Sequence, residues 1–161
     1  MRIAVVVTSD RVYRGEASDR IRPLLDGLER AKVVEVTYYN IVPNDPERIR
    51  KAVIEATRNS EIVIVTGGTG ISPRDVTVDS LRPLATKELP GFGELHRRLS
   101  LEDIGYRAIM SRATAYIING SLVAVSPGNP GAVKLTLDIL RNIYKHLLEE
   151  LGGRGHGKHI K

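Results

Sequence analysis

The chain has 161 residues, enough for one domain with a real core. Its 42% apolar and 27% charged content is that of a globular protein rather than a disordered one, and its apolar runs, such as residues 62–65 and 115–118, are too short to span a membrane. The net charge of +5 raises the question of nucleic acid, but the basic residues are scattered, one Phe and six Tyr are all the aromatics, and no recognition-helix or RNP-like pattern occurs. Neither a nucleic acid nor a membrane is therefore expected as a partner.

The elements alternate along the chain. Residues 3–8 form a continuous, largely β-branched run, the pattern of a strand buried on both faces. This run passes straight into Thr8-Ser9-Asp10 without a cleavage-like site, so it reads as a first strand and not a leader, and a cytoplasmic location is expected; the absence of cysteine fits. Ile21, Leu24, Leu25 and Leu28 follow helical spacing, with Ser18 and Asp19 available as caps. Residues 32–39 read as strand two. Pro46 opens a second helix with Ile49, Ala52, Val53 and Ala56 on its apolar stripe. Residues 61–66 read as strand three and end in Gly67-Gly68-Thr69-Gly70.

The second half changes rhythm. Residues 81–85 and 93–101 read as short helices joined through Pro90-Gly91, with Thr77 capping the first. Two apolar runs, 114–118 and 122–125, flank Asn119-Gly120, a strong hairpin signal that adds one antiparallel strand. Residues 132–151 form a long last helix with Val133, Leu137, Leu140, Tyr144 and Leu147 on one face. The expectation is an α/β fold, a three-layer α/β/α domain over residues 1–151 with a mostly parallel sheet, followed by a flexible basic tail at 152–161.

In such a sheet, ligands sit outside the carboxyl ends of the strands. Three polar clusters fall there: Thr8-Ser9-Asp10, Thr66-Gly67-Gly68-Thr69-Gly70 and Ser126-Pro127-Gly128-Asn129-Pro130. Each alone reads equally well as a turn, but three converging on one edge point to phosphate binding. Neither a P-loop nor a G-x-G-x-x-G turn is present, so the phosphates are held by some other arrangement. Asp75 lies five residues beyond the glycine turn. It either helps cap the next helix or holds a Mg²⁺ that bridges carboxylate and phosphate, and the metal reading is preferred. His96, His146, His156 and His159 show no metal-ligand spacing.

Residues 66–70 with Arg74-Asp75-Val76-Thr77 resemble the signature of the MoaB/Mog molybdenum-cofactor proteins, related to the plant and animal molybdopterin adenylyltransferase domains. The resemblance continues in order through Ser9-Asp10, Pro90-Gly91-Phe92-Gly93-Glu94, residues 100–105, Ser111-Arg112 and Pro127-Gly128-Asn129-Pro130, and is nearer the MoaB branch. It implies transfer of AMP from Mg-ATP to the terminal phosphate of molybdopterin, for later insertion of molybdenum or tungsten. It also implies a trimer, or a hexamer of paired trimers. Glycines 67–70 would then hold phosphates, Asp75 the metal, and Arg112 would neutralise oxyanions. Where active members resemble Pro-Asp, this chain reads Pro43-Asn44-Asp45, so the second catalytic position falls to Asn44 or, after a small shift, to Asp45. The alternative is a molybdopterin-binding carrier without transferase activity.

Overall fold

The computed structural model describes residues 1–153; the part of the expected tail at 154–161, with His156 and His159, lies outside them. Six strands form one sheet: β1 (Arg2–Thr8), β2 (Glu35–Val42), β3 (Ile62–Thr66), β4 (Lys87–Leu89), β5 (Thr114–Ile118) and β6 (Ser121–Ser126), in the spatial order β2-β1-β3-β6-β5-β4. The pairs β1–β2, β1–β3 and β3–β6 are parallel, while β5 is antiparallel to both β6 and β4. The helices are α1 (Asp10–Tyr13), α2 (Ile21–Arg30), α3 (Pro46–Asn59), α4 (Thr77–Leu81), α5 (Pro90–Ile104) and α6 (Pro130–Leu151), with short 3-10 turns at Arg82–Leu84 and Gly105–Met110.

Strand alternation divides the core. Ile3, Val5 and Val7 face Ile21 and Leu25 of α2 and Val133, Leu137 and Leu140 of α6. Ala4 and Val6 face Ile49, Ala52, Val53 and Ala56 of α3 and Val78 and Leu81 of α4. The central strands carry apolar side chains on both faces because helices cover both, and each large aliphatic buried this way contributes roughly 1.5–3 kcal/mol. The expected three-layer architecture is present.

Several boundaries move, each for a local reason. Strand two begins at Glu35 rather than Lys32, because α2 ends with Lys32 in the left-handed region (φ 57°) and Val33 N–H returning to Leu28 O at 2.9 Å. Thr77 is the first residue of α4 and not its side-chain cap; its N–H goes to Gly68 O at 3.1 Å and its hydroxyl shares a hydrogen bond with Thr8 Oγ1 at 3.1 Å. The segment between the expected short helices holds the edge strand β4, which pairs with β5 and so adds a second antiparallel pairing. Helix α5 starts at Pro90 and runs longer than expected. The hairpin turns on Asn119 (φ 52°) and Gly120 (φ 77°), both positive as a type I′ turn requires. The stripe on α6 is core: Val133, Leu137, Leu140 and Leu147 are buried and Tyr144 packs against them.

Candidate functional site

In the sheet, β1 has β2 on one side and β3 on the other, so the chain reverses its direction of travel across the sheet between β1 and β3. Open α/β sheets hold ligands at such a point, outside the carboxyl ends of the strands. The register puts those ends in one row: Thr8 opposite Val42, Val7 opposite Thr66, and Thr66 opposite Ser126. A cavity of about 330 Å³ opens there, lined among others by Ser9, Asn44, Gly67, Gly68, Gly128 and Pro130. Its outer wall, residues 17–21, was not singled out from sequence as part of a site. That wall is braced from outside: Asp19 caps α2 through Oδ1 to Ile21 N (2.8 Å) and accepts the Tyr39 hydroxyl on Oδ2 (2.6 Å). Burial, and then Asp19, raise the pKa of that tyrosine well above the usual phenol range, so it stays a donor.

The glycine turn is shaped for close approach. Gly67 has φ 111° and Gly68 φ 64°. A Cβ on Gly67 would collide with the Thr8 carbonyl oxygen and lie 2.7 Å from Thr8 Oγ1; one on Gly68 would collide with Thr77 Oγ1 and lie 3.1 Å from Asn44 Oδ1. The Gly67 N–H is given to Ser126 O (2.9 Å), whereas the N–H groups of Gly68, Thr69 and Gly70 meet no protein acceptor among the described residues. A row of free amides beside glycines is backbone of the kind that can cradle an anion. It is one residue shorter than the sequence implies.

Around the cradle the carboxylates have separate duties. Asp10 accepts the Asn44 N–H on Oδ1 (2.9 Å) and Arg74 Nε on Oδ2 (3.1 Å), with Arg74 Nη2 against the same oxygen. The Arg74 guanidinium holds the Asp10 carboxyl below the usual carboxylate range, with the Asn44 hydrogen bonds assisting and burial opposing. Asp75 accepts Ser72 N–H on Oδ2 (3.1 Å), which leaves Oδ1 without a donor among the described residues. Asn44 turns Nδ2 toward Asp10 Oδ2 (3.4 Å), and its Oδ1 is buried with no partner among the described residues. Asp45 points elsewhere: Oδ1 caps α3 through Arg48 N (2.8 Å), beside a separate outer depression.

The remaining expected residues support the site from behind. Thr66 donates to Pro127 O (2.8 Å), and Asn129 caps α6 through Ala132 N (2.9 Å), so both fix the loop carrying Gly128 and Pro130. Ser126 Oγ is buried and has no partner among the described residues. Ser111 and Arg112 lie outside the switch-point cavity, against a second depression with Arg82 and Arg97. Arg112 is not a free cation: Nε goes to Gly70 O (2.9 Å), Nη2 to Asp75 O (2.9 Å) and Nη1 to Asp79 Oδ2 (2.9 Å).

Among the described residues no group of three or more His, Cys, Asp or Glu could hold a metal ion. Mg²⁺ needs no such group, since it keeps several waters and is commonly held by one or two carboxylates plus substrate phosphates. The free Asp75 Oδ1 and the orphaned Asn44 Oδ1 are hard oxygens of the right kind. Oxygens of this kind suit a phosphate-borne Mg²⁺ better than a resident metal cage.

A doubly wound sheet with glycine-bearing loops around a cavity at its switch point is the architecture of a module that binds small molecules. The model of one family, described as a probable molybdopterin binding domain, matches residues 4–146. The chain is 40% identical over 153 residues to the molybdopterin adenylyltransferase of Pyrococcus furiosus, covering 92% of this chain and 89% of that one. It is also 40% identical over 156 residues to molybdenum cofactor biosynthesis protein B of Staphylococcus epidermidis, covering 92% and 88%. The crystal structure of the tungsten cofactor synthesizing protein MoaB from Pyrococcus furiosus superposes with a TM-score of 0.83 at 39% identity, covering 93% of this chain and 96% of that one. The chain belongs to this MoaB/Mog family of molybdopterin-binding proteins of molybdenum cofactor biosynthesis.

Proposed function

We propose that the protein transfers AMP from Mg-ATP to the terminal phosphate of molybdopterin, releasing pyrophosphate, in the assembly of a molybdenum or tungsten cofactor. The observation that carries this reading is the cavity at the β1–β3 switch point, whose wall holds Gly68, with its free amide, and the unpartnered Asn44 Oδ1. The names of the relatives, molybdopterin adenylyltransferase and tungsten cofactor synthesizing protein, agree with it.

The chemistry asks little of the protein beyond placement. A phosphate oxygen of molybdopterin bonds to the α-phosphorus of ATP, the bond from that phosphorus to the β-bridging oxygen breaks, and pyrophosphate departs with the electron pair. Holding two anions together is the main barrier, so positioning and charge neutralisation supply most of the rate. The amides of Gly68, Thr69 and Gly70 hold phosphate oxygens, while Ser9, Gly67, Gly128 and Pro130 shape the cavity wall. Asp75 Oδ1 and Asn44 Oδ1 would hold Mg²⁺, which neutralises the nucleotide phosphates when bound. Asp10, kept ionised by Arg74, fixes Asn44 from behind.

Asn44 favours one second reading. An amide adds no charge to a metal site, and a family member that binds molybdopterin without transferring AMP would tolerate it. Incubating the protein with Mg-ATP and molybdopterin separates the two: the transferase reading expects pyrophosphate in proportion to adenylylated molybdopterin, and binding without either product supports the carrier.

The working assembly is a homo-oligomer, a trimer or a hexamer of paired trimers. Its support is an apolar surface on α5 and the turn after it, where Leu95, Leu99, Leu101 and Ile104 are exposed together with Tyr106 (91%) and Ile109 (79%). No helix among the described residues is long and apolar enough to cross a membrane. An ATP-consuming step of this kind belongs in the cytoplasm.

A further inference from the structure

Arg112 holds both ends of the loop that carries Asp75. Its main-chain N–H goes to Thr69 O (2.8 Å), Nε to Gly70 O (2.9 Å) and Nη2 to Asp75 O (2.9 Å). Nη1 meets Asp79 at 3.0 and 2.9 Å, so the charge is answered without using the loop. Three directions of one planar guanidinium thus fix two carbonyls five residues apart and one carboxylate. An ammonium, a point charge on a flexible stem, cannot reproduce that fork.

The clamp is itself anchored. Arg97 Nη1 on α5 donates to Ser111 O (3.2 Å) and Ala113 O (2.7 Å), the carbonyls on either side of Arg112. Gly93 brings α5 so close that a Cβ there would collide with Ala113 O. On the loop side there is no slack either, since a Cβ on Gly70 would lie 2.6 Å from Asp75 Oδ2.

We infer that Arg112 is a positioning residue: it sets the distance between the amide cradle at residues 68–70 and the Asp75 carboxylate, and does not itself touch substrate. This rests on the reading of Asp75 and the cradle given above. A displacement of about 1 Å in such a constellation costs on the order of 100-fold in rate.

The test compares wild type, Arg112→Lys and Asp79→Asn by steady-state AMP transfer to molybdopterin and by amide hydrogen exchange at residues 69–76. Arg112→Lys should lower kcat about 100-fold while KM for ATP and for molybdopterin stays near wild type, and exchange at 69–76 should accelerate with β3 unchanged. Asp79→Asn, which retains the bonds to Gly70 and Asp75, should match wild type in both. A normal kcat in Arg112→Lys, unaltered exchange, or a rise in KM for ATP in place of the fall in kcat would overturn the inference. Should wild type itself transfer no AMP, the proposed function fails, and the clamp is decided by the exchange result alone.

Discussion

Asn44 is oriented by Asp10: its main-chain N–H and its side-chain Nδ2 lie 2.9 and 3.4 Å from the two oxygens of that carboxylate. The amide therefore presents Oδ1 away from Asp10, where it is buried without a partner. A buried acceptor left open costs free energy, and ligand binding is the economical reason for keeping one. The same contact explains how Asn at this position coexists with Asp10, because two carboxylates so close would repel.

Asp45 illustrates the opposite outcome. Because it caps α3, Asp45→Asn should preserve both stability and turnover, asparagine being an equal cap, while Asp45→Ala should cost about 1 kcal/mol. Chemical denaturation and turnover measured on both variants check this. A large loss of turnover in Asp45→Asn would return Asp45 to the catalytic set.

Gly67→Ala should be severely destabilising, about 3 kcal/mol or more, since it combines a left-handed backbone with a collision at Thr8. Gly91→Ala meets open space and should be nearly neutral. Urea midpoints for the pair decide it, and equal midpoints would show that the turn does not need its glycine.

His96 predicts an acid-sensitive joint between α5 and α6. It is 1% exposed, with Nε2 3.4 Å from Ala132 O, and burial holds its pKa below the ordinary histidine value, with the bond to Ala132 opposing. The unfolded chain then takes up the proton first, so this contribution to stability is full above about pH 6.5 and declines as pH falls toward the depressed folded value. His96→Gln should flatten the loss of stability between pH 7.5 and 5.5. An unchanged slope would place the acid sensitivity elsewhere.

Asp75→Asn should leave the melting temperature within a few degrees, as among the described residues its carboxylate holds only the Ser72 N–H, while abolishing Mg²⁺-dependent turnover. Turnover at the wild-type rate in that variant would remove Asp75 from the mechanism.

Much of this was legible from the chain. β-Branched runs gave the parallel strands, Asn119-Gly120 gave the hairpin, and the polar clusters at the strand ends gave residues that line the switch-point cavity, because each is a local consequence of backbone geometry. What was hidden depended on distant partners. Strand β4 has only three residues and exists because β5 offers it an edge. The commitment of Arg112 to Gly70, Asp75 and Asp79 spans more than thirty positions, and no spacing rule signals it. Thr77 reads as a cap in sequence and is not one for the same reason: its hydroxyl is engaged by Thr8, 69 residues away.

The most direct test is transfer itself. Purified wild-type protein, given Mg-ATP and molybdopterin, should form adenylylated molybdopterin and pyrophosphate in equal amounts, and should form neither when EDTA replaces Mg²⁺. Molybdopterin bound by the protein with no AMP transferred at any Mg²⁺ concentration would contradict the account.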